Sequence, residues 1–334
     1  MSHRGSTIIG SIVVVVVALL LAVLCRIFVV EMYTVAPQQM ENTLLPGDRI
    51  MVEKWHYGVR LPQSYISMPF VDTIPGTELP ARWPGTPLPC KYLWIDVVEH
   101  NDVIAYNYPT GEAKPIADFP TVVARCVGVP GDIIEVQGDM LYINDEPIEQ
   151  SLLITEAYLV PDTLLNVVEA AMDTLWGESL PRQSVGEQSL FYIDRYGYNR
   201  LTTILSSSQL PQFVTLPQDN YRIELPPYGS DAVVTATNAA FYADIINRYE
   251  PCKVELRGDE LYHNGNKITS YRFTQPYYWV LCDNRTASTD SRHFGVLPHN
   301  HVIGRCGMIV FSIDAQRRGF DSWRVERFFQ HCKL

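Results

Sequence analysis

Hydroxyls, carboxylates, guanidinium groups and a thiol gather in the stretch Cys282-Asp283-Asn284-Arg285, followed shortly by Ser288-Thr289-Asp290-Ser291-Arg292-His293-Phe294-Gly295. Acids and arginines at this spacing form ion pairs and hydrogen-bond networks when buried, because a buried charge has to be paired. Asp290 and Arg292 are the expected pair. Two further stretches carry polar residues among turn formers, Ala36-Pro37-Gln38-Gln39-Met40-Glu41-Asn42-Thr43-Leu44-Leu45-Pro46-Gly47-Asp48 and Ala124-Arg125-Cys126-Val127-Gly128-Val129-Pro130-Gly131-Asp132. A hydroxyl such as Thr43 or Ser288 attacks a carbonyl only when a base takes its proton. Neither has an evident base in these stretches, and His56 and His293 read as ordinary surface or hydrogen-bonded residues. Gly128-Val129-Pro130-Gly131 reads as a turn rather than a phosphate loop. No metal-ligand spacing and no cofactor motif is present, and a net charge of −11 argues against a nucleic-acid partner.

The elements that must position these residues are mainly β. Short runs rich in Val, Ile and Tyr alternate with Pro, Gly, Asn and Asp clusters, an antiparallel pattern. The expected strands are Arg49–Lys54, Asp102–Tyr108, Thr121–Val129, Ile133–Gln137, Met140–Ile143, Val254–Leu256, Leu261–His263, Tyr277–Leu281 and Val302–Ile313. Gly138-Asp139, Gly258-Asp259 and Asn264-Gly265 supply hairpin turns between them. Residues 61–93 are proline-rich and aperiodic, which predicts a surface insertion. Residues 151–251 are mixed, with helix-like runs at Asp162–Leu175 and Asn238–Arg248, and read as an inserted α+β cap.

Ile8–Cys25 is apolar apart from Ser11, and Ile27–Val30 extend the run past Arg26. That is the length of a single transmembrane helix. A cleaved secretory signal would need a shorter apolar run and an Ala-x-Ala-like site after it, and a lipoprotein signal a smaller residue than Leu24 before Cys25. His3 and Arg4 ahead of the helix place the N-terminus in the cytoplasm. The division is then a cytoplasmic tail at 1–6, a transmembrane helix at 7–30, core at 31–150, cap at 151–251, core again at 252–316, and a basic, aromatic tail at 317–334. In that tail Arg317, Arg318, Arg324, Arg327 and Lys333 interleave with Trp323, Val325, Phe328 and Phe329, which suits contact with anionic lipid, or equally a helix packed on the core. Six of the seven cysteines lie outside the helix, and sequence alone does not choose their pairing.

The three polar stretches, in this order, closely resemble the boxes of bacterial type I signal peptidases, membrane-bound serine–lysine proteases of family S26. The insertions look most like those of Bacteroidetes members. The resemblance covers about 35–57, 102–147 and 253–312. It implies an antiparallel β core anchored by the N-terminal helix in a bacterial inner membrane, with the main domain in the periplasm. In that family a serine directly precedes the Met of the first box and a lysine directly precedes the Arg of the second; here those places hold Gln39 and Ala124. The oxyanion hole uses the backbone N–H of the nucleophile residue, here Gln39, and a hydroxyl two residues earlier, where Pro37 offers neither hydroxyl nor N–H. Relatives that use histidine in place of lysine give no way out, since position 124 is alanine.

Asp283, Asn284, Arg285, Ser288, Asp290 and Arg292 match the third box residue by residue. The family has glycine where this chain has Cys282. A lysine replaced by alanine leaves a void, so Cys282 is expected to fill space beside Ala124; the rival expectation is a disulfide from Cys282 to Cys126 or Cys306. Because members of a catalytic pair act as a unit, joint loss of serine and lysine predicts an inactive homologue. Such a protein would bind signal-peptide-like extended segments or preproteins, or serve as an accessory factor in secretion. The alternatives are an active signal peptidase with relocated groups, and a structural subunit of a membrane complex whose groove is closed.

Overall fold

The computed structural model describes residues 2–35, 39–40, 43–60, 92–109, 115–138, 140–148, 151, 154–177, 180, 182–205, 214–215, 220–286, 290–314, 317 and 319–332. The expected insertion at 61–93 falls almost wholly outside them, as do Pro37, Cys90 and Ser288.

The apolar N-terminal run forms helix α1, Ser2–Phe28, with Ile12–Val17, Leu19–Leu21 and Leu24 turned outward. Within the described residues no helix is long and apolar enough to cross a membrane. The chain leaves α1 through Val29 and is at once extended as strand β1, Val30–Thr34. Charge fixes this joint. Glu31 accepts from the Arg26 guanidinium at 3.1 Å and from the Tyr33 hydroxyl at 2.9 Å, and pairs with Lys54. Lys54 also donates to the carbonyl of Arg26 at 3.1 Å. Burial alone would raise the Glu31 carboxyl, but Lys54 foremost, with Tyr33 and Arg26, holds it below the ordinary glutamate value.

The strands that follow are β2 (Asp48–Glu53), β3 (Val103–Asn107), β4 (Thr121–Gly128), β5 (Ile133–Gln137) and β6 (Met140–Ile143). Next come β7 (Thr155–Pro161), α2 (Leu165–Trp176), β8 (Gln188–Asp194) and α3 (Arg195–Ile204). The chain continues with β9 (Tyr221–Glu224), α4 (Ala239–Tyr249), β10 (Tyr277–Leu281), the single turn α5 (Ser291–Phe294), β11 (Leu297–Pro298) and β12 (Val302–Ser312). The main sheet has seven strands in the order β1-β2-β12-β3-β4-β10-β11, every neighbouring pair antiparallel. This is the mainly β, antiparallel architecture that the alternating runs imply.

Alternation along β4 gives the sheet its two cores. Val122, Ala124 and Cys126 point into a cluster with Tyr106, Val280, Cys282 and Phe294. Val123 points to the opposite face, among Val35, Met40, Leu44, Ile50, Cys306 and Cys332. Cys282 and Cys306 therefore lie on opposite faces, and Cys126, Cys252, Cys282, Cys306 and Cys332 are free thiols.

Of the segment 151–251, the first part builds a separate four-stranded sheet in which β7 and β8 are central, with α2 and α3 closing its apolar face through Val168, Met172 and Leu201 against Tyr158 of β7 and Phe191 of β8. The helix expected at Asp162–Leu175 begins with a 3₁₀ turn over Asp162–Leu164. The second part packs with the main body: β9 pairs with β5, and Tyr242 and Ile246 of α4 share a core with Ile134 and Trp279.

The C-terminal segment contains short 3₁₀ turns at Gly319–Ser322 and Val325–Arg327 and then runs beside β12, where Cys332 N–H donates to the carbonyl of Gly307 at 3.1 Å. Two of its arginines turn inward. Arg327 holds Asp48 through Nη2 at 2.6 Å and the carbonyl of Thr43 at 3.0 Å, while Arg324 donates to the carbonyl of Pro46 at 2.9 Å and pairs with Asp314. Apolar residues face outward here too, chiefly Phe320 at 89% exposure, with Trp323, Val325 and Phe329, interspersed with exposed Arg317, Asp321 and Glu326.

Candidate functional site

Thr43, Arg125 and Asp283, one residue from each box, meet at a single carboxylate. Arg125 grips Asp283 with Nε at 3.0 Å and Nη2 at 2.8 Å, and the Thr43 hydroxyl donates to the same group at 2.6 Å. Asp283 is almost fully buried. Burial would push its carboxyl up, yet Arg125, helped by Thr43 and Arg285, holds it below the ordinary aspartate value. A carboxylate so stabilised is a weak proton acceptor at neutral pH, so Thr43 gains no general base from it.

A second latch closes the third box on itself. Asp290, fully buried, accepts from Arg292 Nε at 3.0 Å and Nη2 at 2.8 Å, caps α5 through the Arg292 backbone N–H at 3.2 Å, and accepts from the backbone N–H of Cys282 at 3.0 Å. Arg292 also donates to the carbonyl of Arg285 at 2.8 Å, and Arg285 to the carbonyl of Cys282 at 2.9 Å. Ser291 accepts from Val280 N–H at 2.9 Å. The cap adds a strap from outside: Thr155 of β7 donates to the carbonyl of Asp283 at 3.1 Å and accepts from Arg285 N–H at 3.0 Å. Nothing in the sequence marked Thr155 or Arg327 for such contacts, because both are made across the tertiary fold. In the first box, a Cβ on Gly47 would collide with the carbonyl of Ile313, and its φ of +89° suits glycine.

Three of the four positions at which the resemblance leads one to expect a different residue, Gln39, Ala124 and Cys282, lie at one short piece of β4. Ala124 is completely buried in an apolar cluster that also holds Cys282. Gln39, 9% exposed, accepts on its side-chain Oε1 from the backbone N–H of Val123 at 3.2 Å, while its own carbonyl accepts from Asn284 N–H at 3.3 Å. The Cys282 thiol lies 4.0 Å from the carbonyl of Val123. Val123 stands opposite Ala105, and Tyr108 N–H donates to Pro120 at 2.9 Å, a phase that turns the N–H and C=O of Val123 away from β3. β10 covers that side of β4 only from Arg125 to Gly128. The edge at Thr121–Ala124 is thus one to which an extended strand could be added, and Gln39 and Cys282 address its outward groups.

The two histidines near the motifs are elsewhere engaged. His56 Nε2 faces Arg305 at 3.1 Å, and exposed His293 stands 3.5 Å from Asp290. Among the described residues no three His, Cys, Asp or Glu side chains are grouped to hold a metal ion.

Comparison with known proteins agrees with these boxes. The family model described as "Signal peptidase, peptidase S26" matches residues 8–195 and 273–311. Signal peptidase I of Buchnera aphidicola subsp. Baizongia pistaciae is 22% identical over 289 residues, covering 86% of this chain and 71% of that protein. Signal peptidase I of Rickettsia canadensis is 30% identical over 131 residues, 39% of this chain and 41% of that protein. That of Pseudomonas fluorescens is 29% identical over 147 residues, 44% of this chain and 40% of that protein. The chain therefore spans about two fifths of the length of the last two relatives. A crystal structure of a signal peptidase I from Enterococcus faecalis, 16% identical, covers 63% of this chain and 97% of its own, with a TM-score of 0.25. With more than half of its residues matched by the family model, the chain belongs to the S26 family of signal peptidases.

Proposed function

We propose that this chain is a catalytically silent member of its family, working as an accessory factor in protein secretion. One observation carries the reading: at the positions where the family places nucleophile and base, Gln39 is turned into a backbone hydrogen bond and Ala124 is sealed in an apolar core. Amide hydrolysis needs a group to attack the carbonyl and another to take up the proton. Gln39 has no ionisable nucleophile, and Ala124 offers no acceptor. The relocated-catalysis alternative is weakened by Thr43, whose hydroxyl points to a carboxylate already stabilised by Arg125. Cys282 beside Ala124 acts in this reading as the filler of space a lysine would otherwise need.

The apolar run Ile8–Cys25 supports anchoring of α1 in the bacterial inner membrane as a single pass, with the N-terminus cytoplasmic and the β body periplasmic. The aromatic face of the C-terminal segment would then rest against lipid. Of the non-catalytic roles, docking on a membrane or secretion complex is favoured over standing capture of signal peptides, because Gln39 and Cys282 already address the open edge of β4.

The test is a cleavage assay with purified full-length protein and a preprotein substrate, beside the variant Gln39→Ser/Ala124→Lys/Cys282→Gly. No product from the wild type is expected. Processing by the wild type that is lost on mutation of Thr43 would overturn the proposal.

A further inference from the structure

We infer that Gln39 is an internal plug: its side-chain amide stands in for the backbone carbonyl of an incoming strand and keeps the Thr121–Ala124 edge of β4 shut against an extended peptide. The inference rests on the groove described above as belonging to this site, but not on the site being silent.

An added strand docks by exchanging backbone N–H and C=O groups with an open edge, while its alternate side chains enter pockets. Val123 is the residue of β4 whose outward N–H is held by Gln39 Oε1. A glutamine is chemically suited to this, since its side-chain carbonyl is the same acceptor as a peptide carbonyl and carries no charge into a buried place. The plug is itself restrained, because the Gln39 backbone is tied to Asn284, and Asn284 is bridged to Thr155 of the cap. Gln39 is nearly buried, so its side chain and a peptide strand would compete for the same edge. The side chain would therefore have to swing out before a peptide entered, which lowers the apparent affinity for the peptide by the fraction of molecules in which it is out.

Two readouts on the full-length protein in detergent micelles test this. The first is hydrogen exchange at the Val123 amide, and the second is binding of a fluorescein-labelled, end-blocked, uncharged decapeptide with alanine at alternate positions. The Val123 amide should be protected in the wild type, and its exchange should rise in Gln39→Leu, which keeps bulk without an acceptor. The decapeptide should bind Gln39→Ala on the order of tenfold more tightly than the wild type, the scale of one buried hydrogen bond. Equal binding to wild type and Gln39→Ala would overturn the plug. So would a wild-type Val123 amide exchanging much faster than its neighbours Val122 and Ala124, a measurement that stands even if the variants fail to fold. Cleavage of the decapeptide by the wild type would sink the silent-enzyme reading instead, leaving the exchange data to decide the plug.

Discussion

Within the same three boxes, the latches around Asp283 and Asp290 and the patch around Val123 differ in kind. The latches are dense with charge: Arg125 with Asp283, Arg292 with Asp290, and Arg327 with Asp48. The patch is neutral, made of an amide, a thiol and a methyl group. Charged latches hold loops in place whatever those loops go on to do, whereas a nucleophile and its base matter only to the reaction. A site that gives up its chemistry can drop the second set freely, but dropping one member of the first leaves a buried charge alone.

That contrast can be broken in order of expected size. Asp283→Ala leaves Arg125 without its carboxylate and should lower unfolding free energy by about 3–5 kcal/mol in denaturant titrations; a loss below about 1 kcal/mol would mean that the latch is ornamental. Arg327→Ala strands buried Asp48 in the same way and should cost about 3 kcal/mol, slightly less because the C-terminal segment can shift and admit water. Ala124→Lys overpacks the cluster shared with Cys282 and should cost about 1–3 kcal/mol. Cys282→Gly in the same molecule should return about 1 kcal/mol of that, read as coupling in a double-mutant cycle. Strict additivity would show that the two positions do not share space. Gln39→Ser should cost least, about 1 kcal/mol for a single hydrogen bond.

Acid sharpens the comparison differently. His299 and His301 are held neutral by burial, their imidazoles pushed down from 6.5 to about 4. Unfolding then takes up protons between those values, so stability should fall as pH drops from 6.5 toward 4. Asp283 acts lower. Its folded carboxyl lies below the ordinary 3.8, so its contribution is complete above that value and is lost as pH falls through the folded one. Asp283→Asn should flatten the stability curve below pH 3.8 and leave the slope between 6.5 and 4 unchanged.

Much of this fold was legible from short-range pattern. Ile133–Gln137, Met140–Ile143 and Tyr277–Leu281 are strands with the expected ends, since β-branched and aromatic residues bounded by turn formers admit little else. β1 was hidden because Val30–Thr34 continues an apolar helix without punctuation. β7 and β8 were hidden in the mixed composition of 151–251. Within the site, the residue types at 39, 124 and 282 are plain in the sequence, and the resemblance sets them apart from what its family carries there. That Gln39 and Cys282 both turn to Val123 depends on the phase of β4 against β3, which no local pattern encodes. Likewise, the sequence leaves the C-terminal segment equally open to lipid or to packing on the core, and only the tertiary fold pairs Arg324 with Asp314 and Arg327 with Asp48.

The charged joint between α1 and β1 has a mechanical implication. With Arg26, Glu31, Tyr33 and Lys54 clasped across a single connecting residue, the body does not dangle from its helix as on a leash. A clasp of this kind would pass tilt or rotation of α1 to β1 and, through the pairing of β1 with β2, into the edge of the sheet.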